Sequence, residues 1–151
     1  MLNEALKARE VTTPPYILDT DTVTYQQAGR AAVLQRLATV APETVFTTVI
    51  TVREQLRGRL TAVDQATEGP DLLLAYDRLL ATVRYFAHVN VLPFSSAAAA
   101  TLQQLRDRRV RIGTQDLRIA AIVLADRGTL VTSNRRDFEK VPGLRIEDWS
   151  R

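Results

Sequence analysis

Short apolar runs that stop at a polar residue, alternating with longer stretches of helical periodicity, constrain this chain more than any other feature. Tyr16-Ile17-Leu18 is continuously apolar and gives way at once to Asp19-Thr20-Asp21, the pattern of a buried parallel strand running into a polar loop. Similar runs recur at Thr44 to Thr48, Val89 to Pro93, Leu130 to Thr132 and Leu144 to Ile146. Between them a helix is expected over Thr24 to Thr39, interrupted near Gly29, and a second along Val49, Val52, Leu56, Leu60 and Val63, whose spacing makes an apolar stripe with Glu54 on its flank. Glu68-Gly69-Pro70 should end that helix, and Asp71 to His88 reads as another. Ser95 is placed to cap a helix reaching Arg109. Gly113-Thr114 opens a last long helix, packed through Leu117, Ala120, Ala121 and Leu124 and terminated by Gly128, with Asp116 in its first turn, where the helix dipole favours negative charge. Ser133 to Phe138 reads as a loop or short helix and Pro142-Gly143 as a turn. Strands alternating with helices predict a three-layer α/β/α domain around a mainly parallel central sheet.

At 151 residues, 46% hydrophobic and 25% charged, the chain is sized for one globular domain. Residues 1–15, ending in Thr12-Thr13-Pro14-Pro15, read as a loosely ordered lead, and residues 16–151 as the domain. The longest apolar run, Ile119 to Ala125, is far too short for a bilayer span, so the expectation is a cytoplasmic chain with no membrane partner. No cysteine and a single histidine, His88, exclude thiolate chemistry and histidine-rich metal sites. Any chemistry must therefore rest on carboxylates. Net charge is 20 − 17 = +3; gathering four acids into one site leaves 20 − 13 = +7 on the remaining surface, a balance suited to a polyanion. Of the 20 basic residues only Lys7 and Lys140 are lysine, a bias that suits bidentate phosphate contacts and that GC-rich coding produces equally well.

The candidate chemistry sits where the strands end. Asp19 follows the first run, Glu54 lies on the helix after the second, and Asn134 and Asp137 follow the run at 130–132. Parallel sheets gather functional groups at the carboxyl ends of their strands, so these segments should converge there with Asp116. Carboxylates brought together repel unless a cation lies among them, and a set of oxygen donors suits Mg²⁺ or Mn²⁺.

The motifs Ile17-Leu18-Asp19-Thr20-Asp21, Thr48-Val49-Ile50-Thr51-Val52-Arg53-Glu54 with Gly58, Ile112 through Asp116 to Ala121, and Leu130-Val131-Thr132-Ser133-Asn134-Arg135-Arg136-Asp137-Phe138, followed by Pro142-Gly143-Leu144 and Glu147-Asp148-Trp149, resemble those of the PIN-domain ribonucleases. Within them they are most similar to the VapC-type toxins of bacterial toxin–antitoxin pairs, over about residues 16–149. The resemblance implies a PIN-like fold and a metal-dependent endoribonuclease. It makes Asp19, Glu54 and Asp116 ligands of Mg²⁺ or Mn²⁺, with Asn134 and Asp137 supplying the fourth corner, and Asp137 joining the three as a catalytic acid. It also implies an RNA substrate cut to 5′-phosphate and 3′-hydroxyl ends, a small antitoxin partner and a homodimer. Arg53, Arg57, Arg135 and Arg136 flank the acids and are candidates to hold RNA phosphates. Asp21 stands where these toxins usually carry asparagine, Thr48 where they carry serine, and Gln55 where leucine is common.

Other features have plainer readings. A lone acid after a strand is ordinarily a helix cap; it is the joint placement that argues for a site. His88 reads as a helix-end residue, Trp149 as a core plug rather than a base-stacking platform, and Arg106, Arg108, Arg109 and Arg111 as a solvated face. Two alternatives remain for the function: a catalytically silent RNA-binding or regulatory domain, and a haloacid dehalogenase-like phosphatase, suggested by Asp19-Thr20-Asp21-Thr22-Val23 but lacking a suitably placed lysine other than Lys140.

Overall fold

A computed structural model describes residues 14–151; the lead expected over 1–15 thus falls, for residues 1–13, outside the described residues. Five strands, Tyr16–Leu18 (β1), Val45–Thr48 (β2), Asn90–Leu92 (β3), Thr129–Val131 (β4) and Arg145–Glu147 (β5), form one sheet in the order β3-β2-β1-β4-β5. Every neighbouring pair is parallel, with Ile17 level with Phe46 on one side and with Leu130 on the other.

The two-residue period of a strand sends successive side chains to opposite faces, and each face has its own core. Ile17 and Leu130 enter one core with Ala98, Leu102 and Leu105 from Ser96–Asp107 (α5), with the buried residues of Thr114–Ala125 (α6), and with Phe138 from Arg135–Phe138 (α7). Leu18 and Val131 enter the other, with Val23 from Thr20–Gln27 (α1), Val33 from Ala31–Leu37 (α2), and Trp149. A helical hairpin, Val49–Gln65 (α3) and Gly69–Ala87 (α4), follows β2. The arrangement is the expected α/β/α sandwich, and α6, inaccessible from Ile119 to Val123, is its central helix.

Several local expectations are corrected. Asp19-Thr20-Asp21 is no loop: Asp19 is the N-cap of α1, its Oδ1 accepting the Thr22 N–H at 2.8 Å, so the helix starts at Thr20 rather than Thr24. The break near Gly29 stands, with Gly29 at φ +75° between α1 and α2. Thr44 belongs to a 3₁₀ turn, Pro42–Thr44, rather than to β2. Gly69-Pro70 opens α4 instead of closing α3, because proline tolerates a first turn, where its missing N–H would have no partner. The expected apolar stripe of α3 is covered only in part: Val49 and Leu60 are 38% and 51% exposed and Val52, Leu56 and Val63 half-buried, while Ile50 and Thr51 are buried. Ser95 caps α5 as expected, accepting the Ala98 N–H, and His88 caps the end of α4. Trp149 is a core plug, 2% exposed, with Nε1 donating to Glu147 Oε2 at 2.8 Å.

Gly128 serves differently from a helix-terminating glycine. Arg127 takes the left-handed conformation (φ 54°), and the Gly128 N–H bonds back to Val123 O. What excludes a side chain at Gly128 is space: a Cβ there would lie 2.6 Å from Ile17 Cδ1 and 2.9 Å from Pro15 O. Gly128→Ala is therefore expected to push β1 away from β4 and to lower stability by about 1–3 kcal/mol. A urea melt checks this, and an unchanged midpoint would show that β1 yields freely.

Candidate active site

The sheet order fixes where chemistry can collect. The chain runs from β1 outward through β2 to β3, then crosses back to place β4 on the other side of β1, which makes the carboxyl ends of β1 and β4 the topological switch point. Asp19 stands at the end of β1, its N–H bonded to Val131 O at 3.1 Å, and Thr132 to Asn134 follow β4 beside it. Glu54 reaches the same edge from the second turn of α3, and Asp116 from the first turn of α6.

Buried threonines fasten this edge. The Thr22 hydroxyl donates to Val131 O (3.0 Å) and the Thr47 hydroxyl to Leu18 O (2.9 Å), locking the ends of β1, β2 and β4 together. Thr48 caps α3 by accepting the Thr51 N–H at 3.2 Å. Thr20 joins α1 to α3: its hydroxyl donates to Glu54 Oε1 at 3.2 Å and lies 3.1 Å from the Thr51 hydroxyl. On the solvent side Gln27 and Gln55 exchange amide hydrogen bonds of 2.8 and 2.9 Å, a second tie between the same helices. Among the described residues no buried side-chain polar atom lacks a partner. Thr20, Thr22, Thr51, Thr132 and the Gln27–Gln55 pair are absent from the sequence-derived set. Their only signal in the sequence is a concentration of threonine at strand ends.

The electrostatics show that the acids share a field. Asp19 is 4% exposed, and burial pushes its carboxyl from 3.8 up to about 6, with hydrogen bonds from Thr132 and Thr22 opposing the rise and the charge of Asp21 adding to it. Asp116 is pushed up to about 6, first by burial and then by repulsion from Glu54, Asp137 and Asp21. Burial likewise raises Glu54, opposed by Thr20 and Arg53 and reinforced by Asp21 and Asp19. Asp137 differs: its carboxyl is held below its usual value, chiefly by the Asn134 amide, whose Nδ2 donates to Oδ2 at 3.0 Å, and Lys140 approaches its Oδ1 at 3.7 Å. Asn134 and Asp137 are thus bonded to one another.

Charge links Glu54 to Asp19 and Asp116 to Glu54 and Asp137, Asn134 bonds Asp137, and Asp21 acts on Asp19, Glu54 and Asp116 alike. All of their donor atoms are oxygens apart from the amide nitrogen of Asn134, and three of the carboxyls are raised by burial and mutual repulsion, a set whose chemistry fits a hard divalent cation. Among the described residues no three His, Asp or Glu side chains are drawn together closely enough to hold a metal as they stand. The four candidate arginines do not form one group. Arg53 and Arg57 lie exposed on α3, Arg53 within the field of Glu54, whereas Arg135 and Arg136 lie exposed on α7.

The PIN domain family profile matches residues 16–144. Over 86 residues the chain is 38% identical to a tRNA(fMet)-specific endonuclease VapC of Salmonella typhimurium, covering 54% of this chain and 65% of that protein. It is 30% identical over 71 residues to Ribonuclease VapC2 of Rickettsia felis, covering 44% of this chain and 53% of that one. The chain thus spans less than two thirds of the length of these curated relatives. Among solved structures it superposes on a chain of DNA-bound VapBC from Salmonella typhimurium with a TM-score of 0.72 at 26% identity, covering 91% of this chain and 99% of that one. It superposes on a chain of VapBC-1 from nontypeable Haemophilus influenzae with a TM-score of 0.71 at 21% identity, covering 90% and 98%, a likeness of fold.

Proposed function

The chain belongs to the PIN domain family, and from that premise we propose that it is a Mg²⁺- or Mn²⁺-dependent endoribonuclease acting as the toxin of a type II toxin–antitoxin pair. The observation that carries this reading is the gathering of Asp19, Glu54 and Asp116 at the switch point of the sheet, each carboxyl raised chiefly by burial, with Glu54 repelled by Asp19 and Asp116 by Glu54. The curated relatives named as endonuclease and ribonuclease support the RNA substrate, and the VapBC structures support the antitoxin partner. Family membership displaces the phosphatase alternative.

In this reading Asp19, Glu54 and Asp116 hold the cation, with the Asn134–Asp137 pair closing the fourth side. A divalent ion bound there would supply Lewis acidity, acidifying the attacking water and neutralising charge on the phosphoryl oxygens. Thr132 and Thr22 hold Asp19, and Thr20 holds Glu54, so two of the acids reach the substrate already oriented. Arginines beside the acids grip the RNA backbone.

Leu60, Leu73, Leu74, Tyr76, Leu80 and Val83 are large apolar side chains exposed along α3 and α4, the kind of surface that protein partners cover. They support the antitoxin and homodimer parts of the proposal. No helix among the described residues is long and apolar enough to cross a membrane.

The decisive experiment expresses the chain in bacteria and maps RNA 5′ ends. New 5′-phosphate ends at defined sites are expected, together with growth arrest relieved by the cognate antitoxin. Purified protein should lose cleavage in excess EDTA. Intact RNA and unimpaired growth would favour the silent-domain reading instead.

A further inference from the structure

Just past β4 the surface opens into a pocket of about 330 Å³ lined by Ser133, Asn134, Arg135, Arg136, Asp148 and Arg151. It brings Arg151, 15 residues beyond Arg136 in the chain, beside the two arginines of α7. Three arginines face one aspartate, Asp148, whose Oδ1 accepts the Ser150 N–H at 2.8 Å and its hydroxyl at 2.6 Å and whose charge attracts Arg151 and Arg135. Arg135 leans toward Glu139 at 3.7 Å. Among the described residues Arg136 and Arg151 close no ion pair, although Asp137 attracts Arg136 and Asp148 attracts Arg151, so the guanidinium groups of the pocket outnumber the one carboxylate that lines it. The pocket is contiguous with the acids, because Asn134 lines it and also donates to Asp137.

We propose that this pocket is a phosphate subsite for the substrate strand, in which Arg136 and Arg151, backed by the Ser133 hydroxyl, hold a backbone phosphate next to the one being cleaved. The inference rests on the ribonuclease reading and deepens it. A guanidinium recognises phosphate through paired N–H donors, and a concave site holds that geometry better than the open helix face carrying Arg53 and Arg57. Contacts of this kind set the register of the strand and carry no base information, so the subsite would position RNA of any sequence.

The test is binding of a fluorescein-labelled single-stranded RNA, followed by anisotropy across a salt series. It uses the Asp116→Asn background in EDTA, which keeps the RNA whole. Each phosphate contact on a single strand contributes about 0.7 to the slope of log affinity against log salt. Arg136→Gln and Arg151→Gln should each flatten the slope by about that amount and weaken binding alike for unrelated sequences. Arg136→Lys should retain most of the slope, since the charge remains. Arg127→Gln, at the opposite edge of the sheet before β4, removes the same charge and should leave the slope unchanged. Unchanged slopes in the Arg136 and Arg151 variants, or an equal fall in Arg127→Gln, would overturn the subsite while leaving the ribonuclease reading in place. Absence of RNA binding by the parent chain would overturn both.

Discussion

Asp116→Asn is expected to cut RNA cleavage by roughly 10²–10³-fold, the scale on which a single group stabilising transition-state charge contributes to rate. Asp116 lies in the first turn of α6, half-buried, and its carboxyl carries the repulsion of Glu54, Asp137 and Asp21 at once, which identifies it as the acid most exposed to the field of all the others. Asparagine keeps its shape and removes only the charge. It also makes no contact that α6 depends on, because that helix is held by Leu117 and the fully buried run Ile119 to Val123. The circular dichroism spectrum should therefore be unchanged while turnover collapses. The same assay should show Asn134 and Asp137 behaving as a unit. Since the Asn134 amide donates to Asp137, removing both should cost little more than removing one, the non-additivity expected of bonded neighbours. A near-wild-type rate for Asp116→Asn in saturating metal would remove Asp116 from the catalytic set.

The second large effect concerns Asp19 and appears in the absence of metal. Its carboxyl titrates near 6 in the folded chain against 3.8 when unperturbed, so the folded state binds the proton more tightly than the unfolded state. Stability from this group is fully present below pH about 4 and is lost as pH rises through about 6, because ionising Asp19 inside the fold is what costs energy. The interval corresponds to on the order of 3 kcal/mol. Asp19→Asn should abolish that loss. Asparagine is an equally good N-cap, its Oδ1 can accept the Thr22 N–H as the carboxylate does, and its amide nitrogen can donate to the Thr132 hydroxyl. In EDTA at pH 7.5 the variant should melt roughly 6–12 °C above wild type, and below pH 4 the two should coincide. Mn²⁺ at ten times its dissociation constant should raise wild type by about 1.4 kcal/mol, or roughly 3–6 °C, and the variant far less. A difference between the two proteins that does not vary with pH would mean that the Asp19 charge is not the source of the instability.

The elements read from the sequence were those whose causes are local. Tyr16-Ile17-Leu18 is a strand and Ser95 a cap because a few neighbouring residues decide both. Asp19 is legible as a strand-end acid, and the helix cap that such an acid ordinarily makes is the contact it forms with the Thr22 N–H. Helix α3 shows where such reasoning fails. Its apolar period is real, with Val52, Leu56 and Val63 half-buried, yet its deepest residues are Ile50, which joins the core, and Thr51, which meets Thr20 at the polar strand edge. Of the stripe only Val49 and Leu60 stay exposed, and one chain's periodicity cannot distinguish such positions from a core.

By itself the sequence determined the class of fold, the set of strand-end acids and the absence of any thiol chemistry, since these follow from composition and from interactions spanning a few residues. Only the tertiary structure decided how those acids meet. The order β3-β2-β1-β4-β5 brings Asp19 beside Thr132 across more than a hundred residues, sets Arg151 next to Arg136, and presses Gly128 against Ile17. Juxtapositions of that kind depend on which strands become neighbours, a choice made by burying both faces of the sheet at once, and no local pattern along the chain encodes it.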